Sequence, residues 1–186
     1  MLSTKCLYVN RALGTLVTLV LLLTLAACDS GDGGGAEEQE ETPDPIVPSC
    51  AASLDGDAFE AEVVSANFFN SGTPTLQVLC QGDDADGRVV LNLLVEVSVG
   101  SEEGNYILGG SDQQGTAGAV FGTSPDLRGG QTFEFDPPRE AGRVVIEEYS
   151  DTHVVGTFEY VVPDTQAGGS DIQVTTGSFE SLVTAR

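Results

Sequence analysis

The stretch Arg88-Val89-Val90-Leu91-Asn92-Leu93-Leu94-Val95-Glu96-Val97-Ser98-Val99 decides the fold. Its period is two. Val89, Leu91, Leu93, Val95, Val97 and Val99 fall on one side, and Arg88, Val90, Asn92, Leu94, Glu96 and Ser98 on the other. In an extended chain successive side chains point to opposite faces, so this is a strand with one fully apolar face. Val90 and Leu94 predict partial cover on the second face and a central place in a sheet.

The same alternation continues on both sides. From His153 to Val162, the residues Val154, Gly156, Phe158, Tyr160 and Val162 share a face. Shorter strands are expected over Phe59–Phe69, Thr75–Gln81, Asn105–Leu108, Ala117–Gly122, Gln131–Phe135, Gly142–Ser150, Ile172–Thr176 and Ser178–Thr184. Turn-forming clusters separate them: Asn70–Pro74, Asp83–Gly87, Gly100–Gly104 and Ser150–Thr152. After residue 50 no run places apolar residues at helical spacing over three turns. The expected domain is all-β, and antiparallel because its connections are too short for crossover helices. About 8–10 such strands need a β-sandwich or a closed barrel to protect their edges, and a lipocalin-like barrel is one such form. The aromatics Phe59, Phe133, Phe135, Phe158, Tyr160 and Phe179 alternate as core residues.

Residues 1–49 have a different character. Lys5 and Arg11 precede an uncharged run, Ala12–Ala27, of 16 residues. A bilayer span needs about 20. A basic start, an apolar middle and small residues before a break form a secretory signal. It ends in Leu25-Ala26-Ala27-Cys28, which resembles the lipobox of bacterial lipoproteins. That resemblance implies cleavage before Cys28, a lipidated Cys28, and a membrane as the first partner. Two or more acyl chains hold stably where one holds only marginally. Residues 28–49 carry glycines, seven acids and Pro43, Pro45 and Pro48, with almost nothing apolar to bury. They read as a disordered acidic tether of about 25 Å root-mean-square length. The domain organisation is therefore a signal at 1–27, a tether at 28–49 and one domain at 50–186.

Without residues 1–27 the chain has no lysine. Five arginines, Arg88, Arg128, Arg139, Arg143 and Arg186, face 29 acidic residues, a formal net charge of −24. Such a surface repels polyanions, which argues against nucleic-acid binding. Acid spread along the whole chain with lysine depleted fits adaptation to a salty medium, where the self-repulsion is screened. A melting temperature that rises with salt is the expectation.

Cys50 and Cys80 are an even pair in an exported chain, which favours a disulfide. A flat meander would place them two strand spacings apart, roughly 9.5 Å, too far to bond. The bridge requires Cys50 to leave that register. Asp83, Asp84 and Asp86 are a weak Ca²⁺ candidate, since clustered carboxylates suit that ion. The alternative is a polar hairpin turn with Gly87 at positive φ. His153 is the one histidine. It offers neither a multi-histidine metal site nor, at an exposed turn, a credible triad, and it is expected to be solvated. No Gly-x-Ser-x-Gly stretch is present. No catalytic residues, resident metal or cofactor follow from the sequence.

Several short motifs in order resemble an uncharacterised all-β domain family of Bacteroidetes-type lipoproteins, a domain of unknown function. These are Leu54-Asp55-Gly56-Asp57-Ala58-Phe59-Glu60-Ala61, Gly104–Gly110, Val155-Gly156-Thr157-Phe158-Glu159-Tyr160 and Thr176-Gly177-Ser178-Phe179. The resemblance implies an all-β domain in the cell envelope, with the outer membrane or cell surface favoured over the inner membrane. It supplies no catalytic residues. The expected role is a non-enzymatic binding or surface-interaction module for a protein, glycan or small ligand. The alternatives are a lipocalin-like carrier, which needs an internal cavity, and a hydrolase of envelope or extracellular polymers, which needs carboxylates converging in a cleft.

Overall fold

The computed structural model describes residues 45–84, 87–123 and 125–185. The expected signal, the expected lipidation residue Cys28 and nearly all of the expected tether lie outside them, as does Asp86. The described chain is all-β. Eleven strands follow in order: β1 Ser49–Leu54, β2 Asp57–Glu60, β3 Val63–Phe69, β4 Thr75–Asp84, β5 Gly87–Glu96, β6 Gly104–Gly109, β7 Gly115–Phe121, β8 Arg128–Gln131, β9 Glu140–Tyr149, β10 His153–Val162 and β11 Ile172–Ala185. Among the described residues no helix is long and apolar enough to cross a membrane.

The pairing falls into two antiparallel runs. One is β3-β4-β5-β7 with β8 on its edge, and the other is β6-β9-β10-β11-β1-β2. Two parallel contacts join them, β3 with β11 over three residue pairs and β6 with β7 at Leu108–Gly115. They close the hydrogen bonding into a ring of eight strands, sandwich-like in its two runs and barrel-like in its closure. The parallel seams correct a purely antiparallel expectation. Nearly the whole domain lies between β3 and β11, which leaves room for a parallel return, whereas β6 and β7, consecutive in the chain, meet in parallel at a single residue pair.

Local chemistry explains the differences from the expected strands. The expected strand Phe59–Phe69 breaks at Ala61–Glu62. There successive N–H groups point opposite ways, Ala61 to the Cys50 carbonyl and Glu62 to the Gln81 carbonyl, each at 2.8 Å. The chain thus leaves β1 and joins β4. Gln131–Phe135 is not a strand. Thr132–Glu134 form a 3-10 turn whose Glu134 carboxylate accepts the Gln131 N–H. Phe133 is consequently 55% exposed and Phe135 only half-buried, so neither is a core residue. The chain turns after Glu96 through a Ser98–Ser101 bridge with Gly100 at φ +80°, which leaves Val99 64% exposed.

The remaining apolar positions are inside as the alternation requires. Val89, Leu91, Leu93, Val95 and Val97 are buried, with Phe59, Phe158, Tyr160 and Phe179. Each such side chain stabilises the fold by about 1.5–3 kcal/mol. Tyr160 spans the interior from β10, and its hydroxyl donates to the Gly118 carbonyl on β7 at 3.0 Å. Burial pushes its phenol pKa up.

The motifs Gly156-Thr157-Phe158 and Gly177-Ser178-Phe179 are cross-strand partners. Gly156 faces Phe179 and Phe158 faces Gly177. Each ring lies over the opposite glycine, with the two rings 6.2 Å apart. A β-carbon on Gly177 would sit 2.3 Å from the Phe158 ring. The strand bulges here, and Thr176 takes φ +49°, a strained value for a β-branched residue.

Candidate functional site

The registers of β3, β4, β5, β7 and β8 line up side chains across the outer face of that sheet. One row reads Asn67-Gln77-Leu94-Thr116. The next reads Ser65-Leu79-Asn92-Gly118-Gln131, and the third Val63-Gln81-Val90-Val120-Gly129. None of these three rows contains a charged residue. Formal charge begins at the margins, with Glu96 beyond Thr75 on one side and Asp83 opposite Arg88 on the other. The Gln77 amide donates to Asn92 Oδ1 at 3.0 Å, and Arg88 donates to Gln81 Oε1 at 2.8 Å. In a chain of formal net charge −22, this is a face of amides, hydroxyls and aliphatic groups.

At its β7–β8 end the face is hollowed. A depression of about 360 Å³ is lined by Val90, Asn92, Val120, Leu127 and Gln131 over a floor at Gly118, Gly129 and Gly130, with Arg128 and Glu134 at its ends. Of these glycines only Gly118 has room for a side chain; a β-carbon on Gly129 or Gly130 would run into the Ala119 or Pro163 carbonyl oxygen. Its volume lies within the range of small-ligand sites, about 300–1,000 Å³. Val63, Val120 and Leu127 on and beside the face are exposed.

Arg128 fixes the end of the hollow. Its guanidinium reaches Asp55 in the β1–β2 turn and Asp164 in the β10–β11 connection, both at 3.2 Å, and lies 5.6 Å from the Phe121 ring centre. Nε faces the Asp164 carboxylate without meeting hydrogen-bond geometry, so that contact is electrostatic. Asp164 also accepts the Gln166 N–H at 2.9 Å, and the Thr165 N–H donates to the Gly129 carbonyl at 3.1 Å. Two loops are thereby held against the short edge strand β8.

The opposite outer face, across β9, β10, β11, β1 and β2, is charged. Arg143 pairs with Glu159 at 2.8 Å, and His153 Nε2 lies 3.0 Å from Glu180 Oε1. His153 is therefore not simply solvated: it is half-buried against a cross-strand carboxylate that the sequence could not place beside it. A groove of about 330 Å³ runs past Arg143, Thr157, Glu159 and Thr176. At the end of β6, burial and the Glu102 carboxylate raise the Tyr106 pKa. Burial, Glu102 and Asp151 raise that of Tyr149.

Cys50 and Cys80 are bonded, with Cα atoms 6.1 Å apart. Cys50 leaves the flat register because β1 pairs with β11 and β2 rather than lying beside β3 and β4. The bond therefore joins the two sheets. Asp83 and Asp84 close β4, and Asp84 pairs with Gly87, at φ +125°, at the start of β5. Among the described residues no three His, Cys, Asp or Glu side chains are grouped to hold a metal.

The uncharged face could be read residue by residue from the sequence but not assembled. Its members come from five strands, and only the register puts them in rows. No family model matches the chain, and neither a curated protein nor a solved structure matches it.

Proposed function

We propose that the chain is a lipid-anchored lipoprotein of the cell envelope, held through Cys28 on the acidic tether. Its domain acts as a non-enzymatic binding module, and the uncharged outer face of β3-β4-β5-β7-β8 is its working surface. The observation that carries this reading is the concentration of neutral hydrogen-bonding and aliphatic groups on that face, in a chain otherwise dominated by carboxylates. Charged side chains are expensive to desolvate, so a surface built to be covered excludes them. The order of motifs and the lipobox support the placement with Bacteroidetes-type envelope lipoproteins, at the outer membrane or cell surface. The interior is occupied by Tyr160, Phe158 and Phe179, the volume a lipocalin-like carrier would need for its ligand.

Two measurements test this. Cells fed an alkyne fatty acid should label the wild-type protein and not Cys28→Ala, which should leave the membrane fraction. The protein purified whole should bind isolated envelope fragments. Asn92→Asp places one carboxylate at the centre of the neutral face, and it should weaken that binding at least tenfold. Ser178→Asp, on the exposed opposite face, should not. Envelope binding by Asn92→Asp equal to wild type would sink the assignment of the surface.

A further inference from the structure

The geometry points to an uncharged, hydroxyl-rich polymer, a neutral glycan chain, as the ligand of the neutral face. This rests on the binding reading above and names its partner.

Charge decides against the other classes. With net charge −24 the mature chain repels a polyanion at every approach. A polycation would be drawn to the carboxylates, which are plentiful elsewhere, while this face has none in its three rows and only Glu134 beside the hollow. What remains complementary is a neutral partner with many donors and acceptors. Asn92, Gln131 and Gln77 each supply an amide, which both donates and accepts. Gln77 already uses one N–H on Asn92 Oδ1, which leaves the Asn92 NH₂ to donate outward. Val90, Val120 and Leu127 lie beside Asn92 and Gln131 around the hollow. Sugar rings present apolar C–H faces and a rim of hydroxyls, so the alternation of aliphatic and amide groups fits them. Such a ligand brings no charge of its own, and Arg128 beside the hollow is already paired with Asp55 and Asp164, so binding should change little with ionic strength, in contrast to an electrostatic contact.

The test titrates the whole protein in detergent with neutral glucan, mannan and galactan oligosaccharides, with a polyuronate, and with poly-lysine, at low and high salt. Neutral oligosaccharides should bind with a Kd that shifts less than about threefold between the two salts. Asn92→Asp should weaken that binding at least tenfold. This variant keeps the acceptor that Gln77 uses, so its fold should survive, and a melting curve checks that. Ser178→Asp should bind as wild type does, and the polyuronate should not bind.

Envelope binding that Asn92→Asp abolishes, but that none of the neutral oligosaccharides competes for, would keep the surface and overturn the ligand class. Concentration-dependent dimerisation lost in Asn92→Asp, with no glycan binding, would replace the glycan by a second copy of the chain. Poly-lysine binding that is lost in Asn92→Asp would likewise overturn the proposal.

Discussion

The sheet β3-β4-β5-β7-β8 keeps one register from edge to edge. The sheet β6-β9-β10-β11-β1-β2 shifts register in four of its five antiparallel pairings. Both put an apolar face inward. In the regular sheet the outward side chains stand in straight rows, so their neutrality adds up to a surface. In the bulged sheet the shifts and glycines admit large rings, Phe158 over Gly177 and Phe179 over Gly156, and the outward positions carry paired charges such as Arg143 and Glu159. One sheet presents an uncharged outer face, and the other is fitted around its own core.

The covalent link between the sheets gives the largest expected effect. Replacing Cys50 and Cys80 together by Ala releases a loop of about 30 residues and should cost about 3–4 kcal/mol in the chain-entropy model. Urea unfolding of the double variant measures it. An unchanged midpoint would mean that the sheets hold each other without the bond.

A single methyl group then separates the two sheets. Gly177→Ala drives a β-carbon into the Phe158 ring and should destabilise by about 1–3 kcal/mol, the usual range for overpacking. Gly118→Ala meets only ordinary 3.4 Å contacts at Gln131 and Gly130. It should stay within about 0.5 kcal/mol of wild type. Equal losses in thermal melts would erase the distinction between a tight bulged sheet and an open regular one.

Tyr160→Phe cuts the hydrogen bond that runs from the bulged sheet to Gly118 of the regular one. About 1 kcal/mol is expected at neutral pH. Its pH dependence sharpens the point. The folded protein holds the phenolic protons of Tyr160, Tyr106 and Tyr149 more tightly than the unfolded chain does. Their contribution is therefore intact below the ordinary tyrosine pKa, near 10, and is lost as pH rises above it. Melts between pH 8 and 12 should show stability falling only above about pH 10, less steeply in Tyr160→Phe.

Salt gives the smallest effect per group. Screening of the surplus carboxylates should raise the melting temperature between 0.1 and 2 M NaCl. A flat or falling curve would remove the argument for adaptation to a salty medium.

Much of this architecture was legible locally. The alternation over Arg88–Val97 and His153–Val162 gives the inner faces correctly, because a half-buried strand must repeat every two residues. The same rule misleads at Val99, Phe133 and Phe135, where the strand ends first or a 3-10 turn intervenes. The short strand Arg128–Gln131 carries no hydrophobic signal and was not expected. The seam of β3 with β11, the His153–Glu180 contact and the neutral rows all depend on pairing between distant segments, which no local pattern encodes. The cysteine pair shows both sides of this. Its number and compartment favoured a bond, while the flat register opposed it until Ala61 and Glu62 turned the chain.

Cys50 is the second residue of β1, and the chain toward residue 1 continues directly from Ser49. A mechanical load applied from that side reaches the fold one residue before the disulfide. It does not unzip β1 from β11 bond by bond, because the force passes through sulfur into β4, which is paired with β5 along its whole length and with β3 from Thr75 to Gln81. A domain pulled by its N-terminus is thus gripped by one of the central strands of its regular sheet.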